Sequence, residues 1–71
     1  MTIKTGLYQH YKGAHYQVME LATHSETEEQ LVIYRALYGE RGVWARPLSM
    51  FIETVERDGE IIPRFTFIES L

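Results

Sequence analysis

The chain has 71 residues, 7 Lys plus Arg against 10 Asp plus Glu, a formal net charge of −3, no cysteine, and an aromatic set of 5 Tyr, 3 Phe and 1 Trp. These counts exclude a disulfide-stapled secreted mini-protein, a thiolate metal cage and a thiol nucleophile. They also argue against a domain that holds nucleic acid through bulk positive charge.

A domain of this size buries only about 60 % of the surface its unfolded chain exposes, so it needs a dense core or a partner. The aromatics can supply that core, at roughly 150–250 Å2 buried per ring. A homodimer is the other way to add buried area. No apolar run approaches the ~20 residues of a membrane span, and nothing like a signal-peptide core follows Met1-Thr2-Ile3-Lys4. The expectation is one cytoplasmic, soluble domain over residues 1–71, with no membrane partner.

Turn signals recur at short intervals: Gly6, Lys12-Gly13, Ser25–Glu29, Gly39 to Gly42, Arg46-Pro47 and Asp58-Gly59. Runs of about 5–10 residues between such signals mark a small all-β domain. The first hairpin joins Leu7–Tyr11 to Ala14–Thr23. A two-residue Lys12-Gly13 turn would set His10 against His15. A three-residue loop, Tyr11-Lys12-Gly13, puts glycine where a left-handed residue is needed. It sets Tyr8 opposite Tyr16 and His10 opposite Ala14, and collects Tyr8, Tyr16, Val18 and Ala22 on one face. This second register is preferred.

Gln30–Tyr38 reads two ways. As a helix it has Ser25 as N-cap, Glu28 in a capping box, a Leu31, Tyr34, Leu37, Tyr38 stripe and Gly39 as C-cap. As a strand it places Val32, Tyr34, Ala36 and Tyr38 on one face and Leu31, Ile33, Arg35 and Leu37 on the other, with stiff Val32-Ile33-Tyr34 favouring extension. Val43-Trp44-Ala45-Arg46 is then its partner strand, ended by Pro47. Leu48–Ile52 fits one short helical or 3₁₀ turn with Met50 and Phe51 inward. Asp58-Gly59 is the strongest hairpin signal. It pairs Arg57 with Glu60, Val55 with Ile62 and Glu53 with Arg64, and Pro63 places this strand at an edge.

His10, His15 and His24 have no ligand spacing, and the preferred register separates the first two, so neither metal nor cofactor is expected. His24-Ser25-Glu26-Thr27-Glu28-Glu29 holds adjacent Ser and His, but strand neighbours point to opposite faces and no nucleophile elbow is present. Ser25 and Thr27 are better read as caps of a polar loop. The richest material is the interleaving of Tyr8, Tyr16, Tyr34, Tyr38 and Trp44 with Arg35, Arg46 and Arg64. Tyrosine and tryptophan offer flat apolar faces with a polar handle, and arginine offers a planar donor fork. At least half of these aromatics belong in the core. Tyr34, Tyr38, Trp44 and Arg46 are the best candidates for a surface cluster.

Several segments resemble a known family. They are Gly6-Leu7-Tyr8-Gln9-His10-Tyr11-Lys12-Gly13, Tyr16-x-Val18, Ala22-Thr23-His24-Ser25-Glu26-Thr27, Val32-Ile33-Tyr34-Arg35-Ala36-Leu37-Tyr38-Gly39 and Trp44-Ala45-Arg46-Pro47-Leu48-x-Met50-Phe51, followed by Gly59 and Pro63-Arg64-Phe65. Together they resemble the bacterial domain of unknown function 1653 from Gly6 to about Phe65. The resemblance implies a mainly β fold, a small SH3-like β-barrel of five to six antiparallel strands with one short helical turn, and it favours the strand for Gln30–Tyr38. It implies no activity and carries over no catalytic residue.

Three functions remain as expectations. The first is a non-enzymatic binding or adaptor module whose Tyr34, Tyr38, Trp44 and Arg46, with His10 and Arg64, hold a peptide, a partner protein or a small anionic ligand. The second is a small enzyme or metal-assisted catalyst using His10, His24 and Glu26, with Arg46 or Arg64 holding an anion. The third is an oligomerising subunit that uses exposed aromatics as a dimer interface. His24 and Glu26 also stand as candidates for a polar network with Arg46 or Arg64.

Overall fold

The computed structural model describes residues 3–71. Seven strands and one helical turn follow in chain order: β1 (Gly6–His10), β2 (His15–Thr23), β3 (Gln30–Ala36), β4 (Val43–Pro47), α1 (Leu48–Phe51), β5 (Thr54–Arg57), β6 (Glu60–Pro63) and β7 (Phe65–Glu69). Five strands form one antiparallel sheet in the order β4-β3-β2-β1-β7, and β5 and β6 form a separate hairpin. The ladder is open, with β4 and β7 as its two ends, and no closed barrel forms among the described residues.

The first hairpin adopts the three-residue loop. Tyr8 lies opposite Tyr16, His10 N–H donates to the Ala14 carbonyl at 2.8 Å, and Gly13 N–H donates to the His10 carbonyl at 2.7 Å. Gly13 takes φ 107, a conformation open to a residue without a Cβ. Gln30–Ala36 is a strand, with Val32, Tyr34 and Ala36 buried on one face. In the second hairpin Asp58 and Gly59 both have positive φ, as a type I′ turn requires. The expected Arg57–Glu60 and Val55–Ile62 pairs follow, and Glu53 meets Arg64 through an ion pair at 3.5 Å.

Four expectations change. Ala22 leaves the core face because the β2–β3 register shifts between Val18 and Glu20. The extra residue lets Leu21, opposite Val32, pack against the core and turns Ala22, opposite Leu31, to the other side. In α1 it is Leu48 and Phe51 that are buried, one turn apart on the same side, while Met50 points outward at 46 % exposure. The described residues form seven strands rather than five or six, because the chain bends at Arg64 after Pro63, leaves β5, and pairs with β1 as β7. In the 24–29 loop the backbone amides of Glu26 and Thr27 are held by His24 Nδ1 at 3.0 and 3.3 Å, and Glu29 N–H by Thr27 Oγ1, so histidine takes the capping role expected of Ser25.

The core comprises Tyr8, Val18, Val32, Tyr34, Leu48, Phe51 and Phe65, with Ile3, Tyr16, Leu21 and Phe67 packed at its margin. At its centre Phe51 of α1 stacks on Phe65 of β7 with centroids 4.2 Å apart and planes 2° from parallel. Among the described residues no helix is long and apolar enough to cross a membrane.

Candidate functional site

The core face of the sheet continues past the part that α1 covers. Strand alternation and cross-strand pairing put Tyr16, Tyr34, Trp44 and Arg46 on this face, since Tyr16 precedes Val18 by two residues, Tyr34 is opposite Trp44 and Val32 is opposite Arg46. His10 joins them from β1, directly opposite Phe65 of β7. The result is a ring of edge-on aromatic contacts. The Phe65 centroid lies 5.0 Å from that of His10, 5.5 Å from Tyr16 and 6.1 Å from Tyr34. Tyr16 also meets Tyr34 at 5.5 Å and Tyr38 at 5.6 Å.

Arg46 lies across this floor. Its Nε–H donates to the Tyr34 hydroxyl at 3.3 Å, and its guanidinium carbon is 5.8 Å from the Phe65 centroid. Among the described residues no carboxylate lies within ion-pair reach of it, whereas Arg64 meets Glu53. The Arg64 Nε–H is buried and has no acceptor among the described residues.

The polar inventory here is unbalanced. Tyr34 accepts from Arg46 and keeps its own hydroxyl proton to donate. The hydroxyls of Tyr16 and Tyr38 lie 2.8 Å apart, so one of the two protons is used between them and the other is left over. Burial, then the bond to Tyr38, pushes the Tyr16 pKa up to about 12, which keeps it a proton donor at neutral pH. The surplus of donors comes from Arg46, whose guanidinium has N–H groups left over after its bond to Tyr34 and has no acceptor capacity of its own.

The charges acting on His10 are all positive. Desolvation, then Arg64, Lys12 and Arg46, hold its pKa below the ordinary 6.5. Its Nδ1 accepts the Lys12 backbone N–H at 3.2 Å, a bond that protonation at that nitrogen would break. On its other side His10 borders a surface pocket of about 370 Å3 together with Gln9, Tyr11, Ile62, Pro63 and Thr66.

Of the residues singled out from sequence, Tyr34, Tyr38, Arg46 and His10 meet around Tyr16 and Phe65, and Arg64 acts on the same histidine. Trp44 stands on the same face at 61 % exposure. His24 and Glu26 lie elsewhere, in the loop after β2. The length of β2 separates them from the His10 end by roughly 25 Å at ~3.3 Å per residue. His24 bonds within its own loop, and Arg46 and Arg64 bond to Tyr34 and Glu53 instead. Among the described residues no group of three His or acidic side chains converges as a metal site. Sequence reasoning put Tyr16 on the core face rather than in the surface cluster, and it did not single out Phe65. The pairing of β7 with β1 brings Phe65 in, and no local pattern announces that pairing.

A model of the family described as "Protein of unknown function (DUF1653)" matches residues 6–67. The chain belongs to this family. It is similar to a crystal structure of a DUF1653 protein from Bordetella bronchiseptica, with 37 % identity over 97 % of this chain and 91 % of that one and a TM-score of 0.87. No curated protein matches the chain.

Proposed function

We propose that this domain is a non-enzymatic binding module that captures the oxyanion of a small ligand, a carboxylate or phosphate group, on the open half of its core face. The supporting observation is the donor excess around Arg46. The guanidinium, the Tyr34 hydroxyl and the Tyr16–Tyr38 pair converge with no carboxylate among the described residues to neutralise them. An oxyanion offers only acceptors, and arginine binds one through two parallel N–H groups. The aromatic floor excludes water and strengthens those bonds. Arg46 is the anchor, His10 and Arg64 set the local potential, and Tyr38 and Trp44 border the mouth. A peptide or partner protein would be held through the same group. In this reading the domain is a variant of an SH3-like barrel whose ladder stays open between β4 and β7.

The test is an amide and arginine-side-chain NMR titration with inorganic phosphate, acetate and short peptides, with sodium chloride at matched ionic strength as control. Saturable shifts centred on Arg46, Tyr16, Tyr34 and Tyr38 with phosphate or acetate are expected. Saturation by peptides alone would move the assignment to a protein partner. Shifts no larger than those from chloride would remove the site.

A further inference from the structure

β4 ends the five-stranded ladder, and its hydrogen-bonding phase is fixed by the hairpin before it. Ala36 N–H donates to the Gly42 carbonyl. The register then runs Arg35 opposite Val43, Tyr34 opposite Trp44, Ile33 opposite Ala45 and Val32 opposite Arg46. Bonded and non-bonded pairs alternate along an antiparallel ladder. Trp44 and Arg46 therefore direct their backbone groups to β3, while Val43 and Ala45 direct theirs outward. Pro47 falls in the outward phase, so the ladder with β3 loses nothing by its missing N–H.

Sheet edges are ordinarily blunted by charge, by proline or by a covering loop, and β4 carries such residues only at its end, Arg46 and Pro47. Val43, Trp44 and Ala45 carry no charge, and all three are exposed. Met50 and Ile52 at α1, which packs on β3 and β4, add further exposed apolar surface near this end of the sheet.

We infer that β4 pairs antiparallel with β4 of a second copy of this chain about a two-fold axis at Ala45. The outward phase fits this pairing. Ala45 exchanges both backbone bonds with Ala45 of the second copy, and each Val43 N–H donates to the other copy's Pro47 carbonyl. The sequence Trp44-Ala45-Arg46 is complementary to itself when reversed. Each Trp44 falls opposite the other copy's Arg46 in the closer, non-bonded type of pair, where an indole face attracts a guanidinium. That self-complementarity selects a second copy over an unrelated strand. It also brings the neighbour's Trp44 to Arg46, independently of whether an anion binds there. A single strand pair is a small interface, so the dimer is weak.

Sedimentation velocity on the full chain should show a reversible monomer–dimer equilibrium in the micromolar to millimolar range. Because residue 45 faces its own copy on the axis, Ala45→Lys and Ala45→Glu should each be monomeric, and an equimolar mixture of the two should dimerise again. Ala45→Pro removes only an outward N–H and should be a folded monomer by circular dichroism. A wild type that stays monomeric at every concentration, variants that dimerise like the wild type, or a mixture that stays monomeric overturns the assignment.

Discussion

Around Phe51 the core face of the sheet is sealed, whereas around Arg46 it is open. In the sealed half Phe51 and Phe65 stack, Val18 and Val32 are all but fully buried, and the one polar handle, the Tyr8 hydroxyl, donates to the Lys4 carbonyl at 2.7 Å. That one side-chain donor has its acceptor. In the open half Tyr16, Tyr34, His10 and Arg46 surround the same Phe65, with Tyr38 bonded to Tyr16, and Arg46 has one side-chain acceptor and no carboxylate partner among the described residues. The contrast separates what a small domain needs for stability from what it keeps available. Rings alone make the core. The arginine and the Tyr16–Tyr38 hydroxyls beside it are surplus to that requirement, and water reaches them on this open side.

Substitutions should divide along this line, beginning with the largest effect. Phe51→Ala removes the centre of the sealed half and should cost about 3–5 kcal/mol in urea unfolding. A loss below about 1 kcal/mol would mean that α1 is not part of the core. Arg46→Gln should shift unfolding by less than about 1 kcal/mol, because the side chain is half-exposed and carries one neutral hydrogen bond. Its effect should fall on binding, with anion affinity dropping on the order of 10- to 100-fold by calorimetry. Equal losses in stability and binding would show that Arg46 serves the core.

The pH dependence follows from His10, whose folded pKa lies below 6.5 because of desolvation and three neighbouring cations. The unfolded chain takes up the proton first. Stability should therefore be level above about pH 7.5, fall as the pH drops through 6.5, and flatten once the folded pKa is passed. His10→Gln should remove that slope in chemical denaturation series. The smallest effect belongs to Glu53→Gln. The Arg64–Glu53 pair is 3.5 Å long and its side chains are 27 % and 50 % exposed, so unfolding should shift by no more than about 1 kcal/mol.

Much of this layout was legible because it rests on local chemistry. Gly13 and Asp58-Gly59 fix two hairpin registers, and those registers place Tyr8 against Tyr16 and Glu53 near Arg64. Alternation along Val32, Tyr34 and Ala36 marks the buried face of β3. The bulge in β2 escaped strict period-two reading. Its sign was the odd spacing of Val18 and Leu21 around charged Glu20, which both core residues can satisfy only with one extra residue between them. The inward residues of α1 were carried by the three-residue spacing of Leu48 and Phe51, which leaves Met50 off that side. The site was half legible. Sequence alternation grouped Tyr34, Tyr38, Trp44 and Arg46, but the approach of His10 and Phe65 depends on β7 returning beside β1, a contact between distant segments that no window of sequence contains.

The central claim is that the open half holds an anion against Arg46 and beside His10. The most direct measurement is the His10 pKa, followed by NMR through its ring protons with and without sulfate, which does not titrate in this range. A bound anion offsets the positive field of Arg64, Lys12 and Arg46, so the pKa should rise with sulfate in the wild type and rise less in Arg46→Gln. A His10 pKa that sulfate leaves unchanged relative to chloride at equal ionic strength would contradict the claim.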